Sequence, residues 1–407
     1  MFYAIEKITR RVEELEQSRS TQPSPVAPFQ AMEGQLEPDE IYRELPGSIQ
    51  GKTMTLGDFF PGKDRYLWLQ KTLTIPQARD GFEIVGRFDF GNTSGGFNSG
   101  FESLLYLDGT PYQAVDTYHW DVPLQAFAGQ QVTMTFLLWT GMGGQDVEQV
   151  FFHQLRRAEI CYLHKDCDRL YYLCRAAVET AKILDEGDND RIYLLEALEH
   201  AMLLLNWDAD AFYDTVPQAL EYLTKRFAAR KTDSEVTVHM VGHTHIDVAW
   251  LWRLKHTREK AQRSFTTALR LMEEFPSFVF LQTQPQLYRF IQQDRPDLFQ
   301  KIAQKVSQGQ WETDGGMWLE ADCNISSGES LTRQFLHGIR FFQQQFQKTC
   351  RYLWLPDVFG YSWALPQILK QCGIETFMTT KISWNQFNTM PNDLFSWRGI
   401  DGTEVLT

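Results

Sequence analysis

The chain has 407 residues, 43 % hydrophobic and 14 % aromatic with 12 Trp, and a formal net charge of −13. That length exceeds what one compact core usually organises, and the composition is that of a folded, multidomain chain rather than a disordered one. The acidic balance without a long basic run argues against nucleic acid and anionic membrane as partners, and no stretch has the apolar length of a signal peptide or bilayer span.

Residues 4–19 set Ile5, Ile8, Val12 and Leu15 at helical spacing among charges, which predicts a short amphipathic helix docked on the body of the protein or on a second subunit. A homo-oligomer is compatible with this layout. Residues 20–40, rich in Pro, Ser and Gln, read as a linker, so 1–44 is taken as helix plus linker. Residues 45–157 are β-rich: runs around 66–75, 82–90, 103–107 and 132–139 are separated by turns such as Asp108-Gly109 and the Gly91–Gly100 loop. They predict a β-sandwich of jelly-roll type, whose Trp120 and Trp139 are either carbohydrate platforms or core. Residues 158–233 turn helical, with strong apolar periodicity at 170–180, 192–205 and 216–230, and read as a connector. The six cysteines form no CxxC pair, which fits a reduced, cytoplasmic setting.

From 234 to 407 strands and helices alternate. Strands are expected at 236–241, 278–281, 311–313, 352–355 and 376–379, with helices near 257–274, 287–308, 330–347 and 364–372. Repeated βα units imply parallel strands with helical crossovers, in a barrel or an open sheet. Polar residues collect after the strands, on the face where such folds bind ligands: His243, His245 and Asp247, then Gln282 and Gln284, then Glu320 and Asp322, then Asp357, then Lys381. In an extended chain His243, His245 and Asp247 share one side. Two imidazoles and a carboxylate suit a borderline divalent cation, although the same cluster can serve as a surface hydrogen-bond network. Trp250 and Trp252 follow at once as flat surfaces for a sugar ring. Asp357 sits at a strand mouth, where an Asp either caps the next helix or serves chemistry.

Four segments, GHTHIDVAWLWRL (242–254), Gly315–Phe342, WLPDVFGYSWALPQIL (354–369) and TKISWNQFNTMP (380–391), resemble the glycoside hydrolase family 38 α-mannosidases, nearest their cytosolic and bacterial branch. The resemblance implies a seven-stranded β/α barrel, incomplete in this chain, a single zinc, and retaining hydrolysis of terminal α-linked mannose from oligosaccharides. By the same resemblance His245 and Asp247 would bind zinc, Asp357 would be both nucleophile and a further zinc ligand, and Trp250 would stack under the sugar. His243 would support the ligands from behind, while Lys381 and Asp322 would contact substrate. In that family the general acid, an Asp, and a last zinc-binding His come further downstream. No His follows His337, so the chain is expected to be part of a larger enzyme and inactive by itself. Two other classes stay open: a metal-dependent sugar deacetylase acting through an activated water, and a non-catalytic carbohydrate-binding fragment led by the sandwich.

Overall fold

A computed structural model describes residues 5–37, 39–91, 101–142, 152–208, 211–230 and 236–407. Beyond Gly91, the expected Gly91–Gly100 loop lies outside the described residues. The chain opens with α1 (Ile5–Gln17), then β1 (Ser20–Pro25), β2 (Phe29–Gly34), β3 (Lys52–Met54), β4 (Phe59–Pro61), β5 (Tyr66–Thr74), β6 (Phe82–Gly91), β7 (Glu102–Leu107), β8 (Thr110–Asp116), β9 (Asp121–Pro123), β10 (Gln131–Trp139) and β11 (Phe152–His164).

These strands build two antiparallel sheets, one ordered β1-β11-β6-β9 with β4 also on β11, the other β3-β2-β5-β10-β7-β8. The sheets lie face to face because alternate residues of each strand are apolar. Along β10, Val132, Met134, Phe136 and Leu138 point inward, with Phe136 opposite Leu69 of β5 and Leu105 of β7, and they share one core with Phe88 of β6 and Ile160 of β11.

Two expectations are corrected here. Residues 20–34 are not a linker: Ser20–Pro25 pairs with β11 and Phe29–Gly34 with β5. β1 is an outer strand with no buried residue, so it carries no apolar alternation, and its Pro23 and Pro25 are tolerated at an edge. Likewise, residues 158–164 belong to β11 and not to the helices.

The helices α2 (Lys165–Ile183), α3 (Asn189–Leu204) and α4 (Phe212–Ala228) pack together, and α1 joins them through Ile8, Val12 and Leu15, the positions its periodicity marks. Among the described residues no helix is long and apolar enough to cross a membrane. All six cysteines are free.

The remainder alternates: β12 (Gly242–His243), α5 (Leu254–Glu274), β13 (Phe280–Leu281), α6 (Pro285–Asp294), α7 (Pro296–Ser307), β14 (Trp311–Glu312), α8 (Gly328–Phe346), β15 (Tyr352–Leu355), α9 (Leu365–Gln371), β16 (Thr376–Thr379), β17 (Ser396–Arg398) and β18 (Glu404–Leu406). β12, β13 and β14 run parallel, as do β15, β16 and β18, and a parallel bridge between Gly315 and Leu353 links the two sets. Among the described residues the strands do not close into a ring. The expected strand 236–241 is absent. Val236, Val238 and Met240 are 78 %, 76 % and 90 % exposed, and pairing starts only at Gly242, whose N–H reaches the Val279 carbonyl at 2.8 Å. Alternating β-formers make a strand only where a partner and a covered face are available, and β12 pairs on one side alone.

Helix α5 seats this α/β region on the two-sheet unit, one contact per turn. Arg253 pairs with Asp64, Tyr66 Oη donates to both Glu259 oxygens at 3.0 and 2.8 Å, Lys260 and Arg263 both pair with Glu102, and Thr267 Oγ1 accepts from Ala114 N at 2.9 Å. Arg270 Nε reaches Tyr112 Oη at 3.0 Å. Trp139 is core in this contact: it stacks on His256 with centroids 4.2 Å apart and donates Nε1 to Asp64 at 3.0 Å.

Candidate metal centre

The loop from β12 to α5 carries His245 and Asp247, and that from β15 to α9 carries Asp357. One ligand atom from each lies within 4.8 Å of the others. His245 Nε2 is 3.2 Å from Asp247 Oδ1 and 3.4 Å from Asp357 Oδ2, while its Nδ1–H donates to Glu320 Oε2 at 2.8 Å. That bond fixes the ring so that Nε2 faces the carboxylates, the arrangement by which metal-binding imidazoles are oriented from behind. Lys381, in the turn after β16, holds Asp357 Oδ1 at 2.5 Å and lies on the Trp384 ring, 3.2 Å from its centroid.

Charge decides what this cluster lacks. Asp247, Asp357 and Glu320 face one ammonium, Lys381, so with a neutral imidazole two negative charges stay uncompensated. Buried or half-buried carboxylates this close require a cation. The His245 imidazole responds accordingly: burial alone would lower its pKa, but the bonds to Asp247 and Glu320 outweigh burial and push it up to about 10. One nitrogen and two carboxylate donors around a common point, with an open side toward the cleft, fit a borderline divalent cation such as zinc with room for an exogenous ligand.

Of the other expected residues, His243 and Trp250 line the cleft and Asp322 lies outside it. His243 contributes no atom to the ligand set. It is tilted against Trp354 at 5.3 Å, its buried Nε2 has no hydrogen-bond partner, and burial followed by the charge of His245 lowers its pKa to about 4. A run of three on one face fails because the chain leaves regular pairing at His243. Asp322 is exposed and accepts from the N–H groups of Asn324 and Ile325 at 2.9 and 2.7 Å, a turn-closing role outside the cleft. Trp250 is 53 % exposed and borders the cleft, edge-on to Trp252 with centroids 5.6 Å apart. Glu320 was legible only as one polar residue among several after the third strand; nothing in the spacing points it at a histidine 75 positions earlier.

The loop is braced from α5. Thr257 Oγ1 donates to the Asp247 carbonyl at 3.0 Å and accepts from Trp252 Nε1 at 2.9 Å, and Lys260 lies 4.4 Å from the Trp252 ring centroid. Since α5 is in turn clamped to Asp64 and Glu102, the two-sheet unit positions the loop that bears Asp247. The cluster opens into a cleft of about 1120 Å³, walled on one side by Trp250, Asp357, Lys381 and Trp384 and on the other by the two-sheet unit.

Residues 235–407 match the model of the glycosyl hydrolases family 38 N-terminal domain. Human alpha-mannosidase 2C1 is 35 % identical over 395 residues, covering 93 % of this chain and 37 % of that protein. Alpha-mannosidase G of Dictyostelium discoideum is 39 % identical over 255 residues, 62 % of this chain and 23 % of that protein. An alpha-mannosidase of Saccharomyces cerevisiae is 37 % identical over 269 residues, 63 % and 24 % respectively. The chain thus spans little more than a third of the length of the human relative. Over residues 235–407 it belongs to glycosyl hydrolase family 38 as an N-terminal domain of that family.

Proposed function

We propose that the protein is a zinc-dependent retaining α-mannosidase of the cytoplasm, acting on terminal α-linked mannose of oligosaccharides, with the α/β region as part of a seven-stranded barrel and the two-sheet unit as a jelly-roll. The observation that carries this reading is the shared position of His245, Asp247 and Asp357, with His245 held from behind by Glu320. His245, Asp247 and Asp357 would hold the zinc, which when bound supplies a Lewis-acid grip on vicinal sugar hydroxyls.

The chain's own residues do the rest. Asp357 presents one oxygen to the ligand cluster and the other to Lys381, the geometry of a carboxylate held in place for attack. It attacks the anomeric carbon as the glycosidic bond breaks and the departing oxygen takes a proton from a general acid outside this cluster, forming a glycosyl ester that water, deprotonated by the same group, then hydrolyses with net retention. Trp250 offers its exposed ring as a platform for the sugar, and Lys381 stays beside the carboxylate through the step. Lys381 is thereby assigned to Asp357 more than to substrate.

A 2-fluoro-mannosyl reagent with a good leaving group tests this on the full-length protein. The expected result is a stoichiometric adduct located by peptide mass spectrometry on Asp357. Hydrolysis that proceeds with no adduct, and with inversion at the anomeric carbon, would replace the nucleophile by an activated water.

A further inference from the structure

The wall of the cleft opposite the metal cluster is built by the two-sheet unit, chiefly by the loop Asp116-Thr-Tyr-His119 that joins β8 to β9. This loop is unusually well tied down for one that exposes an aromatic ring. Asp116 Oδ1 accepts from Tyr118 N at 2.8 Å, from His119 N at 3.0 Å and from His119 Nδ1 at 2.9 Å, and Phe88 N donates to the next carbonyl, that of Trp120, at 3.2 Å. On this fixed frame Tyr118 is 75 % exposed on the cleft rim. His119, with Nδ1 committed to Asp116, is left with Nε2 for an outside partner.

The chemistry of the loop selects a class of ligand. An aromatic face, an imidazole nitrogen and the Thr117 hydroxyl suit an uncharged polyhydroxylated ring, stacked on one side and hydrogen-bonded at its edge. The cations that line the cleft are already committed: Lys260 and Arg263 to Glu102, and Lys381 to Asp357. An anionic ligand would therefore have to break an existing pair, and a neutral sugar would not. Because the loop is held before any ligand arrives, little ordering entropy opposes binding.

We propose that Tyr118 and His119 form a second sugar subsite, contacting the neutral sugar that follows the mannosyl unit at the metal cluster. This subsite rests on reading the cluster as a mannosidase centre. It makes the two-sheet unit a determinant of substrate length.

The test compares kcat/KM of the full-length protein on α-linked mannotriose and on methyl α-mannoside, for wild type, Tyr118→Ala, Tyr118→Phe and His119→Ala. The ratio of the two values is expected to fall about 5- to 10-fold in Tyr118→Ala, to fall less in His119→Ala, and to be retained in Tyr118→Phe, which keeps the ring. An unchanged ratio in Tyr118→Ala overturns the subsite while leaving the mannosidase reading standing. If wild type cleaves neither sugar, the mannosidase reading fails, and saturation-transfer NMR with mannotriose decides the subsite separately. Signal lost in Tyr118→Ala and kept in Tyr118→Phe supports it, whereas equal signal in all forms overturns it.

Discussion

Two half-buried charge clusters border the cleft and are built on opposite principles. At the α5 contact three carboxylates are matched, Glu102 by Lys260 and Arg263, Asp64 by Arg253, and nearby Asp294 by Arg258 and Arg43, while Glu259 is held by the Tyr66 hydroxyl. At the metal cluster three carboxylates share one lysine and one imidazole, and Glu320 Oε1 is left without a hydrogen-bond partner. A matched cluster stabilises an interface and fixes its register. The unmatched one, braced through α5, is the cluster to which the proposed metal and sugar are assigned.

The comparison can be broken most severely at Asp357. Asp357→Asn is expected to lower mannosidase kcat/KM on the order of 10³-fold or more, with the protein still folded, because it removes the attacking oxygen. A loss of less than about tenfold would assign the nucleophile elsewhere. On the matched side, Asp64→Ala leaves Arg253 and the Trp139 indole N–H without their acceptor, and is expected to cost about 1–3 kcal/mol in denaturant unfolding. It should also weaken metal binding, since α5 holds the loop of Asp247; a variant that loses stability but binds metal as wild type does would separate the two clusters.

Glu320→Gln sharpens the unmatched side. It leaves the ligands in place but loosens His245, and zinc affinity measured by chelator competition is expected to fall about 10- to 100-fold. The smallest effect concerns pH. Burial pushes the Glu259 carboxyl up to about 7, against the pull of Arg263, the Tyr66 hydroxyl and Lys255. The folded state then binds a proton that the unfolded state has released, so this group's contribution declines as pH rises from about 4.5 to about 7. Glu259→Gln should flatten that part of the stability curve; an unchanged slope would place the pH dependence in other groups.

The sequence was legible where local pattern and burial coincide. β15 and β16 lie where their apolar runs place them, and these fix Asp357 and Lys381 at adjacent strand ends. α1 buries Ile8, Val12 and Leu15, three of the four residues its period selects, and packs Ile5 partly against them. It was illegible where pairing, not hydrophobicity, makes the element. Ser20–Pro25 is a strand because β11 offers an edge, while Val236–Val241 has the β-formers and no such edge. The convergence of His245, Asp247 and Asp357 was legible, but what holds them was not. HTHID names His245 and Asp247, yet neither the Glu320 hydrogen bond nor the brace from Asp64 through α5 has a local signature, since both join residues far apart in the chain. His243 was drawn into the set by alternation that ends one residue too early.

X-ray absorption at the zinc edge of the zinc-loaded protein tests the central claim most directly, read together with binding stoichiometry. One zinc per chain is predicted, with nitrogen and oxygen neighbours at about 2.0–2.2 Å, no sulfur, and loss of the site in both Asp247→Ala and Asp357→Ala. Sulfur in the first shell, or zinc bound with undiminished affinity when either aspartate is removed, would contradict it.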